Sequence, residues 1–484
     1  MQTTRLLFLL LLTAFGPEAF SQNFSFAPKV DSTTVNSDPH FVLTGDLDGD
    51  GKRDIVVTTN AGAVVTVFRN TSTQGMISLD TRVDFEASPS AEVIKNINIG
   101  DIDGDGRPDL VTVSNGGTVL GYTASFSVLL NISTPGSIGF AALVSVPIVI
   151  SPGQFISIGD IDGDFKPDVV VVRSDSVLVF RNTSTIGAVS FAGQVDLALG
   201  GAVVRIADID GDGKMDIVVL TATDLAVFRN TSTTGNISFA AAVHFASGTQ
   251  PLSLAVGDID GDGKPDVAVA NSNSSPNSVS VMRNTSAPDT ISFAAPVSFT
   301  TGPVATANRP TSITIGDMDG DNKPELVVAN ELSNTVSVIH NTSTVGSINA
   351  FSFAAGQTFP VGTEPGSVSI GDMDGDSKPD LVSANGGSSS VSVLRQISPL
   401  SVTTISQDNF RLSPNPTSGS FTIENNYNSS LTLHVINLLG ERLKTFTMTK
   451  TKQLFDISDL AAAIYLVQIC DGEQTLQVMK VVKE

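Results

Sequence analysis

One nine-residue pattern, met seven times, constrains this chain more than any other feature. Its fullest copy is Asp258-Ile259-Asp260-Gly261-Asp262-Gly263-Lys264-Pro265-Asp266, with carboxylates at positions 1, 3, 5 and 9 and glycines at 4 and 6. Copies begin at Asp46, Asp101, Asp160, Asp208, Asp258, Asp317 and Asp372, at intervals of 48 to 59 residues. A repeat of this length is one supersecondary unit that cannot bury its own apolar face, so the units must stack.

Around each loop the unit has the same parts. An alternating run such as Ser312-Ile313-Thr314-Ile315-Gly316 precedes it, the period of a strand with one packed face. The residue just before the loop is glycine in six units and Ala207 in the fourth, which leaves little room there. A β-branched run follows, as in Asp168 to Val172, then a third strand such as Val279 to Asn284, then Asn-Thr-Ser-Thr and a short fourth strand such as Ile237 to Ala241. Four strands per unit without helical periodicity predict an all-β fold, a seven-bladed β-propeller. The seventh unit stops at Val391 to Arg395, while Asn23 to Pro28 matches Ile291 to Pro296. An N-terminal strand is therefore expected to complete the last blade and close the ring, removing open edges.

Four carboxylates in one tight turn repel each other unless a cation sits among them. Hard oxygens at positions 1, 3, 5 and 9, with the position 7 carbonyl, suit Ca²⁺ better than Mg²⁺, which wants stricter octahedral geometry. The net charge of −22 has the same origin, since 28 of the 49 acidic residues lie in these loops. Seven bound Ca²⁺ would bring the charge to about −8. With no basic stripe to neutralise phosphates, the composition argues against a nucleic-acid partner.

The pattern Asp-x-Asp-Gly-Asp-x-Lys-Pro-Asp between two strands resembles the FG-GAP/VCBS repeat family, related to the integrin α-subunit propeller, over roughly residues 23–396. The resemblance implies up to seven Ca²⁺ ions, each in the loop joining the first two strands of a blade. Carried over residue by residue, the first three ligand sets are Asp46, Asp48, Asp50 and Asp54; Asp101, Asp103, Asp105 and Asp109; and Asp160, Asp162, Asp164 and Asp168. The next two are Asp208, Asp210, Asp212 and Asp216, and Asp258, Asp260, Asp262 and Asp266. The last two are Asp317, Asp319, Asp321 and Glu325, and Asp372, Asp374, Asp376 and Asp380. Position 6 departs from glycine at Phe165, Asn322 and Ser377, and a positive φ there would strain Phe165 most.

The chain ends differ from the repeat. Arg5, the apolar run Leu6 to Leu12 and Ala19-Phe20-Ser21 read as a signal peptide over residues 1–21, with the propeller over 22–396. No other segment reaches transmembrane length, so the mature chain is expected to be soluble and exported. A Ser/Thr-rich linker spans 397–409. Strand signals at Phe421 to Glu424, Leu431 to Asn437 and Ile464 to Ile469 predict a small β-sandwich over 410–484. Leu412-Ser413-Pro414-Asn415-Pro416-Thr417-Ser418-Gly419, Leu438-Leu439-Gly440, Ile457 to Leu460 and the Lys480 to Lys483 end resemble the type IX secretion C-terminal sorting domain of Bacteroidetes. That resemblance implies the type IX machinery as a partner and a secreted or cell-surface location. The single cysteine, Cys470, sits in the apolar run and reads as a buried thiol.

No catalytic constellation stands out. The four histidines, His40, His244, His340 and His434, form no zinc-type cluster, and neither a nucleophile elbow nor a phosphate loop occurs. His340 takes the place of the arginine that ends the third strand elsewhere (Arg69, Arg181, Arg229, Arg283, Arg395) and reads as a structural substitute. A binding face is expected opposite the acidic loops, where the units vary: Asp38, His40, Lys95, Gln154, Gln250, Arg309 and Glu364. Without tryptophan and with few tyrosines, the face suits a surface or matrix protein at least as well as a glycan. The expected function is an adhesion or ligand-binding module, not an enzyme. The alternatives are a polysaccharide lyase or hydrolase, since some polysaccharide lyases resemble this propeller type, and an inert structural surface protein.

Overall fold

A computed structural model describes residues 24–34, 38–60, 62–89, 93–114, 124–148, 153–272, 278–302, 308–397, 410–425, 430–437, 442–471 and 474–484. The expected signal peptide and linker lie outside these, apart from Ile397. Among the described residues the regular structure is strand, with no helix. None is therefore long and apolar enough to cross a membrane. The chain divides into two units, residues 1–397 and 398–484.

The first unit contains seven four-stranded antiparallel sheets. The fifth repeat is typical: Pro251–Gly257, Asp266–Asn271, Ser278–Met282 and Val297–Thr300 pair in chain order. Second strands such as Asp168–Arg173 are buried at every residue because the sheet is covered on both faces, which is why they read as continuous Val/Ile/Leu runs. The first strands lie side by side from unit to unit, and that of the seventh, Pro365–Gly371, packs beside that of the first, Pro39–Gly45. The apolar cores sit between successive sheets: Val42, Ile55 and Val57 share a cluster with Met373, Val382 and Val391 of the seventh repeat.

Two expectations about strand position are corrected. Ile237 to Ala241 is a bridged turn (Asn230 opposite Phe239), and the fourth strand follows it at Val243–Ala246. The N-terminal segment behaves likewise. Ser25–Phe26 pairs with Gln396–Ile397, while Val30–Thr33 is the strand added to Ser390–Leu394 as the fourth member of the seventh sheet. In both places the residues matching Phe239 first pair with the end of the third-strand run, at Asn230 or at Gln396, before the chain rejoins the sheet.

The second unit has a three-stranded sheet (Phe410–Ser413, Ser420–Asn425, Lys452–Asp456) and a four-stranded one (Arg442–Met448, Leu431–Ile436, Ala463–Asp471, Gln474–Lys483). Their alternating apolar residues, among them Phe421, Ile423, Leu433, Val435, Phe455, Val467 and Val481, form one core. Cys470 is buried. The Leu438 to Gly440 motif lies outside the described residues.

Candidate functional site

Each acidic loop is built by its own carboxylates. In the first, Asp46 Oδ1 accepts the Gly49 amide at 2.8 Å and Oδ2 the Gly51 amide at 2.9 Å. Asp54 is fully buried and takes the Leu47 amide on Oδ2 at 2.9 Å and the Asn70 amide on Oδ1 at 2.8 Å. The third loop closes in the same way. Phe165 has φ 65°, its amide bonds Asp160 Oδ2 at 2.8 Å, and its ring is 95% exposed, so the side chain crowds nothing. Glu325 replaces aspartate with the same two contacts, Oε2 to the Met318 amide at 2.8 Å and Oε1 to the Asn341 amide at 3.2 Å.

The asparagine of the Asn-x-Ser turn (x is Thr except at Ile132) explains why that motif recurs. Asn131 Nδ2 donates to Pro108 O in its own unit and to Leu47 O in the preceding one, both at 2.8 Å, so it staples adjacent sheets at the loop. Asn70, Asn182, Asn230, Asn284 and Asn341 do the same, and in the seventh unit Gln396 takes that place and reaches Met318 O of the sixth. A backbone amide from the next unit's turn also caps the position 3 carboxylate: Gly136 N to Asp48 Oδ2 at 2.8 Å, Gly187 N to Asp103 Oδ2 at 2.7 Å.

These carboxylates converge. Ligand oxygens of Asp46, Asp48 and Asp50 lie within 4.8 Å of one another, as do those of Asp101, Asp103 and Asp109, of Asp160, Asp162 and Asp168, and of Asp208, Asp210 and Asp216. Burial, with neighbouring negative charge, pushes Asp54, Asp109, Asp168 and Asp216 up to about 6, and Asp266 and Asp380 to about 7. All-oxygen donors under mutual repulsion are the set that a hard divalent cation relieves, so these residues fit one.

The arginines at the third-strand ends are the functional residues that the sequence signalled without assigning. Arg69 donates Nε to Asp48 Oδ2 and Nη2 to Asp50 Oδ2, both at 2.6 Å, and Arg283 spans Asp260 and Asp262 at 2.8 and 2.7 Å. Against the cost of burial, Arg69 holds Asp48 below the usual carboxylate range. Arg229 instead pairs with Asp289 at 2.7 Å. His340, in the same position, places Nδ1 3.1 Å from Glu325 Oε1 and 3.2 Å from Asp319 Oδ2.

At the other ends of the first strands the expected face has its own geometry. In six units the strand register skips one residue, and the skipped residues are His40, Lys95, Gln154, Leu252, Thr311 and Gly366. Such bulges re-aim a side chain out of the ladder. His40 is not free on the surface: it is half-buried, with Nε2 3.2 Å from Lys95 O. Asp38, Gln250, Arg309 and Glu364 are exposed, each held at positive φ (65°, 49°, 50° and 54°). Each carbonyl is pinned by an amide beyond the second strand: Asn60, Ser272, Glu331 and Gly386. Arg309 pairs with Glu331 at 2.7 Å. At the same end, residues 115–123 and 273–277, between the second and third strands of their units, lie outside the described residues.

The FG-GAP-like repeat profile matches residues 46–112, 160–219, 208–269, 258–328 and 317–383, together more than half of the chain. A secretion system C-terminal sorting domain matches residues 411–484. No curated protein matches the sequence. Among solved structures, BBS1N, from a complex with ARL6DN, has TM-score 0.51 at 13% identity, covering 78% of this chain and 98% of that one. The rhamnogalacturonan lyases YesW and YesX have TM-scores 0.42 and 0.43 at 14% identity. YesW covers 77% of this chain and 75% of its own; for YesX both shares are 76%. The BBS1N likeness is one of fold alone.

Proposed function

This chain belongs to the FG-GAP-like repeat proteins and carries a sorting domain that directs it through type IX secretion to the cell surface or the medium; on that premise we propose that it is a Ca²⁺-loaded, seven-bladed β-propeller acting as an adhesion and ligand-binding module. The seven four-stranded sheets are the blades, Val30–Thr33 closes the last, and the two sheets sharing the core around Phe421 and Val467 are a small β-sandwich. The sandwich is the part that meets the type IX machinery.

The acidic loops are the Ca²⁺ sites, each using its position 1, 3, 5 and 9 carboxylates. Bound there, the ion would supply the positive charge that the converging oxygens lack. The loops and Asn-x-Ser staples fix the spacing between blades and leave the opposite end to vary. The observation that carries the binding reading is the set of bulge residues at that end, different in each of the six units that have one, beside four left-handed residues, Asp38, Gln250, Arg309 and Glu364. Backbone held in uncommon conformations at one end of a rigid scaffold is where recognition concentrates.

The test is retention of the mature chain on arrays of glycans and matrix proteins, in Ca²⁺ and in chelator, beside the triple variant Asp38→Ala, Arg309→Ala, Glu364→Ala. The reading expects one ligand class to be retained in Ca²⁺ and lost in the variant. A folded, Ca²⁺-loaded chain that retains nothing, or a variant that binds as well as wild type, contradicts it. Turnover of an arrayed polysaccharide would make the chain an enzyme instead.

A further inference from the structure

The sixth acidic loop differs from the other six in two linked ways. Glu325 stands where they have aspartate, and His340 stands where Arg69, Arg181, Arg229, Arg283 and Arg395 end the third strand. The second change alters chemistry, not only size. A guanidinium has five donors and no lone pair to give, whereas an imidazole nitrogen is a metal ligand. The first change supplies the reach, because Glu325 keeps its two amide contacts while bringing Oε1 to 3.1 Å from His340 Nδ1.

We infer that the sixth loop is a site for a first-row transition ion of the zinc class, held by Asp319 Oδ2, Glu325 Oε1 and His340 Nδ1. These three donors lie within 4.8 Å of one another. Nδ1 is 3.1 Å from the glutamate oxygen and 3.2 Å from the aspartate oxygen. Two donors each about 2.0–2.1 Å from a tetrahedral zinc ion stand about 3.3 Å apart, so little movement is needed to seat one. Ca²⁺ takes oxygen ligands, and a nitrogen at this place favours zinc, copper, iron or nickel over it.

A second observation points to a missing ligand. The Asp319 side chain is 8% exposed, and its Oδ2 accepts no hydrogen bond. The imidazole has one Nδ1 proton at most, and its hydrogen-bond contact is with Glu325 Oε1, while the 3.2 Å approach to Asp319 Oδ2 is an ion-pair distance only. The equivalent oxygens of Asp48, Asp103, Asp162, Asp210 and Asp374 are each capped by a backbone amide from the next unit's turn, and that of Asp260 takes Arg283 Nε instead. The unit after the sixth is the seventh, whose chain turns away at Gln396–Ile397 to pair with Ser25–Phe26. Among the described residues no turn there offers an amide to Asp319. The closing of the ring thus uncaps one buried carboxylate oxygen, beside the one histidine that replaces an arginine. Phe24, from the same closing segment, sets its ring edge-on to His340 at 6.0 Å and 62°.

This site is one of the seven loops assigned to Ca²⁺ above, and the inference changes the ion it holds without depending on the other six. The untagged mature chain, saturated with Ca²⁺, is dialysed against ZnCl₂ and then against metal-free buffer containing Ca²⁺, and both metals are counted by mass spectrometry. The expected result is about one Zn²⁺ per chain in wild type and none in His340→Arg, with Ca²⁺ content unchanged. His340→Arg restores the residue of five other units, so it is expected to fold, and Asp319→Asn serves as an independent variant with the same expected loss. Co²⁺ in place of Zn²⁺ should give a visible spectrum of an ion with nitrogen and oxygen ligands, absent in both variants. A wild type that binds Ca²⁺ but no Zn²⁺ overturns the inference and leaves the Ca²⁺ reading standing. Zn²⁺ kept by His340→Arg also overturns it, because the ion is then elsewhere. Zn²⁺ lost with His340 from a chain that takes up no Ca²⁺ supports this site and removes the Ca²⁺ reading of the others.

Discussion

The residue before each acidic loop is small because the next unit's first strand leans on it. A Cβ on Gly100 would stand 2.4 Å from Ile158 Cδ1, and one on Gly257 2.6 Å from Ile315 Cδ1. By the same register Ala207 lies against Val256, one methylene smaller than isoleucine, and both border one core cluster. Gly100→Ala should therefore cost about 1–3 kcal/mol in denaturant unfolding, and adding Ile158→Val should recover part of it. The sequence displayed the glycine row and its single exception. The partner was not legible, because it lies in the next repeat and only the stacking register identifies it. The buried position 9 carboxylates carry a second prediction at this scale. Their pKa in the folded, metal-free chain is raised to about 6 or 7 from an ordinary 3.8. The folded state then holds protons that the unfolded state has released, so this part of the stability is lost as pH rises through that window. In chelator the melting temperature should fall between pH 5 and pH 7.5. A metal-free melt that rises over this range would contradict the pKa shifts.

Each loop is an element whose parts serve one another, and its redundancy sets how a single lesion should read. Asp258 Oδ1 accepts the Gly261 and Asp262 amides at 2.8 and 3.0 Å, and Oδ2 the Gly263 amide at 2.8 Å. Asp258→Ala should open the fifth loop alone. Bound Ca²⁺ should fall by about one per chain and the melting temperature by about 2 °C, since neighbouring units still hold their own interfaces. Unfolding of the whole chain by this one change would mean that the units do not act as separate elements. The loop itself was legible because its chemistry is written in nine consecutive residues. The fourth strand was misplaced because Asn230, Ser232 and Phe239 close a turn through side-chain and bridge contacts that an apolar run does not reveal. The bulges at His40 and Lys95 were invisible for a related reason: one skipped residue leaves strand alternation intact on either side.

At the scale of the molecule, the two ends of the repeat array meet. Val30–Thr33 pairs with Ser390–Leu394, and Thr34 extends the contact through its amide to Ser389 O at 2.9 Å. Removing residues 22–34 should expose the Ser390–Leu394 edge, lower the melting temperature and promote concentration-dependent association in sedimentation. An unchanged monomer with an unchanged melt would contradict closure by this strand. The seventh unit's missing strand and the surplus N-terminal copy made the closure legible from sequence, although the strand itself lies a few residues beyond the matching motif. The account rests most heavily on the acidic loops being ion sites that hold the array together. The measurement that tests this most directly is calorimetry of the mature chain after equilibrium dialysis in Ca²⁺, with the bound ion counted on the same sample. About six or seven Ca²⁺ per chain, with a melting temperature that drops in chelator, is the expected result. A chain that binds no Ca²⁺ and melts at the same temperature in chelator would contradict the account.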